Sequence, residues 1–431
     1  MCFSPVNKDY FYQKFYPKQM NYLLQSTTQT LSGEIQLDGS KSISNRALII
    51  RALCSEDFDI HHLSTSDDTN ALLAGLKTDG EIIDVGAAGT TMRFLTALCA
   101  CSSNKTTTLT GSSRMKQRPI GILVTALRKL GADISYTENE GFPPLRINGK
   151  KLEGGELQME AGVSSQYLSA MLMIAPTLEK GLQLTLIGDL VSRPYLEMTL
   201  KLMERFGVKH HWDNNTIAIA PQTYKAAEFT VEADWSAASY HYALAALAQK
   251  ANIRLYGLFN NSLQGDAALV EMMKPLGIIS TFGEGFVDLE KTKTTTDFFE
   301  YDFLECPDLA QTLAVVCAGL KINARFTGLQ TLAIKETDRT AALQTELAKI
   351  NTRFFEEENG WNLVATDNFT NKTPTIATYH DHRMAMAFAP LAMVLSKGIY
   401  IEDPMVVTKS YGQFYEDFMK LGIEYIEDTI N

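Results

Sequence analysis

The chain predicts an α/β or α+β fold divided between two domains, on three observations. One pattern recurs along its middle: a short strand-like run, a polar cluster, a helix of Ala, Leu and Met, a Gly, and another strand. Strands alternating with helices build α/β or α+β layers. Its 431 residues exceed one ordinary core and imply two domains or three. Its composition, 45% hydrophobic and 21% charged, is that of a folded soluble chain.

The elements follow in order. The first 19 residues, MCFSPVNKDYFYQKFYPKQ, are aromatic and irregular. They lack the apolar stretch and small-residue cleavage site of a signal peptide and read as an extension, with Met20 opening the folded part. Helices are then expected in SKSISNRALIIRALC (40–54), AAGTTMRFLTALCA (87–100), KQRPIGILVTALRKLG (116–131), VSSQYLSAMLMIAP (163–176) and VSRPYLEMTLKLMERFG (191–207). Four more follow in DWSAASYHYALAALA (234–248), CPDLAQTLAVVCAGL (306–320), KETDRTAALQTELAKI (335–350) and HDHRMAMAFAPLAMVL (380–395). Ser, Thr and Asp at their starts are good N-caps, and Pro119 and Pro194 suit a first turn. Strands are expected in LQLTLIG, IRLYGLF, ARFTGL and GIYIED. The spacing suggests one supersecondary unit used several times, alike in pattern rather than in sequence.

Charge and cysteines narrow the function. Lys and Arg number 39 against 50 Asp and Glu, a net charge of −11. No basic face is advertised for nucleic acid, so an anionic partner would need a local cluster of cations. No apolar run reaches the roughly 18 residues of a membrane span. Cys2, Cys54, Cys99, Cys101, Cys306 and Cys317 mostly sit inside apolar runs with neither zinc-type nor disulfide-scaffold spacing. They read as reduced, buried and cytosolic.

Capping explains one hydroxyl or acid per helix start. It does not explain cations there, because Lys and Arg oppose the macrodipole. Yet Lys41, Arg46, Arg118, Lys335, Arg339 and Arg383 all lie at or near expected helix starts. Together they point to anions held where free N–H groups and the dipole already favour negative charge. GSKS (39–42) lacks the Gly-x4-Gly-Lys-Ser/Thr spacing of a nucleotide phosphate loop. On a continuous helix the five residues from Lys41 to Arg46 turn about 140° round the axis, so the two need not share a ligand. GAAGTTMR (86–93) is either a tight turn or a close backbone approach to an anion. The pair of histidines in YHDHRMAM is spaced wrongly for a metal on a helix, and no third ligand is in view. Asp308 is either an N-cap or a buried base.

In this order, GSKSISNRA, SDD, AGTTMR, RMKQRPIG, SSQYLSA, GDLVSRPY, SAASY, KETDR, DHRMAMAF and the lysine of VTKSY closely resemble the signatures of the EPSP synthase family, the 3-phosphoshikimate 1-carboxyvinyltransferases. The resemblance runs from about Leu31 to the C-terminal region. It implies two similar domains of repeated βαβαββ units whose helix N-termini face a central cleft. One domain would be 41–231; the other would join 20–40 to 232–431, so that the chain crosses twice. It implies transfer of the enolpyruvyl group of phosphoenolpyruvate to the 5-hydroxyl of shikimate 3-phosphate, with release of phosphate, on the route to chorismate and aromatic amino acids. No metal or organic cofactor is implied, and a cytoplasmic monomer is the family expectation. Both substrates carry a carboxylate and a phosphate, each phosphate at about −1.5 to −2, so the cleft needs a basic lining.

Carried over position by position, Ser42, Arg46, Ser164, Ser165, Gln166, Ser192 and Tyr195 resemble the shikimate 3-phosphate shell, with Lys41, Asp308 and Lys335 beside it. Lys41, Gly89, Arg118, Gln166, Arg339, Arg383 and Lys409 resemble the phosphoenolpyruvate shell. Asp308 is implied as acceptor of the hydroxyl proton, Glu336 as proton donor to the methylene carbon, and Lys335 as a neighbour of the hydroxyl. Four departures stand out. Only 77–85 separates the SDD helix from GAAGTTMR, where the family usually carries a further β-hairpin. Ala87 stands where Asn is common, Phe94 where Pro is common, and Thr331 where some members have Asn. Ala87 and Phe94 are expected to flank the phosphoenolpyruvate pocket, and Gly89 keeps room for the inhibitor glyphosate, so inhibition is expected. The rivals are the sister enzyme acting on UDP-N-acetylglucosamine, which typically has a loop cysteine that SSRMKQRPI lacks, and a non-catalytic anion-binding relative.

Overall fold

The computed structural model describes residues 20–429 apart from Val163, Ser192 and Asn359. The expected extension at 1–19 lies outside them. The described residues form twelve α-helices: α1 (Lys41–Leu53), α2 (Asp67–Lys77), α3 (Gly89–Cys101), α4 (Gly121–Lys129), α5 (Ser165–Ile174) and α6 (Arg193–Arg205), then α7 (Trp235–Leu247), α8 (Leu269–Met273), α9 (Ala310–Leu320), α10 (Arg339–Ala348), α11 (His382–Phe388) and α12 (Phe414–Lys420).

Five four-stranded sheets repeat one design. In the sheet that carries α3 and α4, strand Ile82–Asp84 lies parallel to Thr106–Thr110. Leu145–Asn148 runs antiparallel to Thr106–Thr110, and Asp133–Tyr136 closes a hairpin on it. With its helices this is βαβαββ. Gly155–Glu160 and Leu182–Ile187 start the next unit the same way, with α5, α6 and the hairpin His211–Asp213/Thr216–Ile219. Leu182–Ile187 buries alternate residues, the period of a strand with one face on a core. Three further units contain α7–α8, α9–α10 and α11–α12. The sixth sheet is different. It is the parallel pair Phe229–Thr230/Ile60–His61 alone, and the chain leaves α2 for the strand Ile82–Asp84 with no hairpin between.

Within each unit the two helices have different jobs. α9 is buried from Ala310 through Gly319, as suits a helix apolar nearly all round, and α11 from His382 through Phe388, with His382 and Arg383 in its first turn. α6 and α10 bury one face and expose the other. Inner helices α1, α3 and α5 pack on one another, as do α7, α9 and α11. The buried apolar residues accordingly form two clusters, one drawn from Ile43–Val231 and one from Tyr22–Leu37 with Ala233–Ile423. The molecule is thus an α/β protein of two lobes.

The lobes are joined by two antiparallel crossings. Ser40 N donates to Glu232 O at 2.8 Å, and Asp234 N to Asp38 O at 3.1 Å. The His62 ring spans both, with Nδ1 2.9 Å from Val231 O and Nε2 3.0 Å from Leu37 O. A Cβ at Gly39 would lie 1.8 Å from the His62 carbonyl oxygen, so only glycine fits there.

Candidate active site

The N-terminal ends of the inner helices α1, α3, α5, α9 and α11 face a cleft of about 700 Å³, and α7 begins at a small chamber beside it. In the 43–231 lobe, α1, α3 and α5 start without a side-chain cap. Their first N–H groups are left for another partner. Ser164 stands at the cap position of α5 with its hydroxyl uncommitted to the helix. In the other lobe Asp234 caps α7, Asp338 caps α10 and Asp381 caps α11.

Cations outnumber acids in this cavity, eight Lys and Arg against four Asp and Glu. The cleft is therefore a positive focus in a chain of net charge −11. On the 43–231 side Lys41 has Asp68 nearby, whereas Arg46, Arg93, Arg114 and Arg118 make no salt bridge among the described residues. Arg46 is only 2% exposed, and its donors reach neutral atoms: Thr199 Oγ1 at 2.7 Å, Ser42 O at 2.9 Å and Ser169 Oγ at 2.9 Å. Burial lowers its guanidinium to about 10. Burial, together with the neighbouring Arg93, also lowers Arg118. Arg93 Nη1 donates to Gln166 Oε1 at 2.9 Å, and Gln166 Nε2 to Thr90 Oγ1 at 3.1 Å. A Cβ on Gly89 would sit 2.5 Å from Arg118 Nη1 and 2.8 Å from Arg93 Nη1.

On the opposite side the cations are paired, and the pairs share members. Arg339 holds Asp308 Oδ1 at 2.9 Å, Glu336 Oε2 at 3.0 Å and Asp381 Oδ2 at 2.7 Å. Arg383 Nη2 holds Asp308 Oδ2 at 2.9 Å, Lys409 Nζ holds Glu336 Oε1 at 3.0 Å, and Lys335 Nζ lies 3.6 Å from Asp308 Oδ1. Burial alone would raise both carboxyls. Arg383, Lys335 and Arg339 outweigh it at Asp308, and Lys409 and Arg339 at Glu336, so both lie well below the usual carboxylate range. The lobes touch here: Tyr195 OH donates to Asp308 Oδ2 at 3.1 Å, and Arg114 Nη2 to Glu336 O at 3.4 Å. Lys41 Nζ, at the start of α1, lies 3.7 Å from Asp68 Oδ2.

Asp308 is not a cap. It sits in the turn Pro307–Leu309 ahead of α9, makes no bond to that helix start, and turns its carboxylate into the cleft. In KETDR the capping falls to Asp338 alone, which frees Lys335, Glu336 and Arg339 for the cavity.

Residues 25–82 and 76–418 match the model of EPSP synthase (3-phosphoshikimate 1-carboxyvinyltransferase). The chain belongs to the EPSP synthase family. The two matched stretches meet at 76–82, where the hairpin is missing. A 3-phosphoshikimate 1-carboxyvinyltransferase of Bacteroides fragilis (strain YCH46) is 49% identical over 407 residues, 94% of this chain and 98% of that protein. One of Histophilus somni (strain 2336) is 35% identical over 441 residues, 94% and 99% of the two chains. The solved EPSP synthase of Acinetobacter baumannii superposes with a TM-score of 0.75 over 95% of this chain and 100% of that one; at 20% identity it shows the shared fold.

Of the residues assigned by resemblance to EPSP synthase, the structure places Lys41, Ser42, Arg46, Gly89, Arg118, Ser164, Ser165, Gln166 and Tyr195 on one side of the cavity. Asp308, Lys335, Glu336, Arg339 and Arg383 line the other, and Lys409 joins them through Glu336. Ser192 lies outside the described residues. Two expectations need correction. Ala87 does not line the cavity, and Phe94 is fully buried with its ring centroid 5.4 Å from Arg46 Cζ, so it braces that arginine from the core and does not face the cavity. Of the described cysteines, only Cys306 and Cys317 are buried; Cys54, Cys99 and Cys101 are half-buried free thiols. The sequence reading assigns no site role to Arg93, Thr90 or Asp381, and weighs His382 only as a metal ligand. Asp381 lies inside the quoted string DHRMAMAF, but its grip on Arg339 spans 42 residues and leaves no local trace.

Proposed function

We propose that enolpyruvyl transfer from phosphoenolpyruvate to the 5-hydroxyl of shikimate 3-phosphate takes place in this cleft, with the acceptor held mainly on the 43–231 side and the donor gripped from both sides. Arg46, with Ser42, Ser164, Ser165, Gln166 and Tyr195, takes the acceptor. Lys41, Gly89, Arg118, Gln166, Arg339, Arg383 and Lys409 take the donor. The acceptor oxygen adds to C2 of phosphoenolpyruvate while C3 gains a proton, giving a tetrahedral intermediate. Loss of phosphate and of one C3 proton then restores the double bond on the product. Asp308 accepts the hydroxyl proton, with Lys335 beside it, and Glu336 serves C3. The lobes that carry these shells are proposed as domains 41–231 and 20–40 with 232–431, closing over the substrates.

The observation that carries the reading is that Asp308 and Glu336 share the guanidinium of Arg339, at 2.9 and 3.0 Å. That guanidinium is one that the anionic groups of the donor would also engage. Donor anions competing for Arg339, Arg383 and Lys409 loosen both acids, and each rises toward a range useful for proton transfer. The test is phosphate release with both substrates. Asp308→Ala is expected to lower turnover at least about 100-fold, and near-normal turnover would overturn the role of Asp308 as base. Release with UDP-N-acetylglucosamine instead would overturn the acceptor. Glyphosate is expected to compete with phosphoenolpyruvate. Gly89→Ala should weaken both, because its Cβ meets Arg118 Nη1 at 2.5 Å.

A further inference from the structure

Asp266 is a buried acid in a small chamber beside the cleft that the reaction leaves unassigned. It sits in the turn Gly265–Ala268 and is 4% exposed. Its partner is Ser236, in the first turn of α7, whose hydroxyl donates to Asp266 Oδ2. Ser236 Oγ in turn accepts from Arg383 Nη2 at 3.3 Å, and the same nitrogen donates to Asp308 Oδ2 at 2.9 Å. A chamber of about 20 Å³, lined by Asp266, Ser236, Asp234, Arg383, Tyr195 and Lys41 among others, adjoins them and is large enough for one water.

A hydroxyl has one hydrogen. With that hydrogen committed to Asp266, Ser236 can offer Arg383 only a lone pair. Asp266 thereby fixes the polarity of the contact and the angle of the guanidinium fork. The contact matters most during the reaction. A donor anion that draws Arg383 away from Asp308 removes one of its two oxygen partners at Nη2, and Ser236 remains. We propose that Asp266 is a positioning residue for the donor site, acting through Ser236 to aim Arg383 at phosphoenolpyruvate. This rests on Arg383 belonging to the donor shell.

The test is the KM of each substrate in the full chain for Asp266→Ala, Asp266→Asn, Ser236→Ala, the Asp266→Ala/Ser236→Ala double variant and Arg383→Lys. Asp266→Ala and Ser236→Ala should each raise KM for phosphoenolpyruvate about tenfold, the scale of one charge-assisted hydrogen bond, with KM for shikimate 3-phosphate changed less than about twofold. The double variant should be no worse than the worse single one. Asp266→Asn, whose amide oxygen still accepts from Ser236, should recover most of the loss. Equal changes in both KM values, no change in either, or effects that multiply in the double variant would overturn the proposal. Should Asp266→Ala not fold, Ser236→Ala, which removes one hydroxyl, decides on the same terms. Arg383→Lys separates the premises. If it leaves KM for phosphoenolpyruvate unchanged, the donor-shell reading falls. If it raises that KM while Ser236→Ala does not, the relay alone falls.

Discussion

Arg46 is a buried cation held by two hydroxyls and a carbonyl, with no carboxylate among its partners. Such a charge is costly to the fold unless a ligand completes it. Arg46→Met should therefore leave the melting temperature equal or higher while weakening shikimate 3-phosphate about 100-fold, read by calorimetry and binding titration. A destabilised variant with intact binding would contradict this. Asp266 shows the converse linkage. Burial and the nearby Asp308 push its carboxyl up to about 6 against the pull of Arg383. A raised folded-state value favours the fold below the unfolded value and withdraws that support as pH climbs through about 6. Asp266→Asn removes the dependence. Its melting temperature relative to the parent should be higher near pH 7.5 than near pH 4.5, and a pH-independent difference would refute it. At this scale the sequence was only half legible. Asp308 looked more like a cap than a base, because its partners Arg339 and Arg383 lie 31 and 75 residues away.

Helices were the more legible elements, because a polar start before an apolar run is a local signal. The strand Leu182–Ile187 was legible for the same reason, by alternation within six residues. The outer hairpins, such as Arg353–Glu357/Gly360–Val364, escaped notice because short half-exposed strands carry little pattern. Pro119 also misled: a turn at Met115–Gln117 intervenes and α4 begins only at Gly121. Contacts between elements of different lobes left no trace at all. A Cβ on Gly265, ahead of α8, would lie 2.6 Å from Cβ of Pro194 in the first turn of α6. Gly265→Ala should thus hold the lobes slightly apart without loosening either core. A misplacement of this order costs roughly ten- to 100-fold in catalysis. The expected outcome is that loss in kcat/KM with an unchanged melting temperature; full activity would show that the turn yields instead.

The two lobes are built alike but not equally. Five sheets have four strands, whereas the pair Phe229–Thr230/Ile60–His61 has two residues from each strand. Two-stranded ribbons are marginal without packing, so this corner should be the first to open. The sequence showed the missing chain at 77–85 but not its consequence, since that depends on where the shortened unit packs. It lies beside the crossings: His62 follows the strand directly and bonds the carbonyls of Leu37 and Val231. It also reaches the other lobe, where Thr408 Oγ1 donates to Asp67 Oδ2 at 2.9 Å. Closure over substrates should therefore tighten the weakest unit. Hydrogen exchange should find the amides of Ile60–His61, α2 and Phe229–Thr230 exchanging ahead of Leu182–Ile187 in the free protein. Protection should rise there on adding shikimate 3-phosphate with glyphosate. Asp67→Ala should lessen that rise while leaving exchange in the free protein unchanged in order. Equal protection of the two-stranded and four-stranded sheets, or a ligand effect confined to the cleft helices, would mean that the shortened unit is held by its own packing rather than by closure.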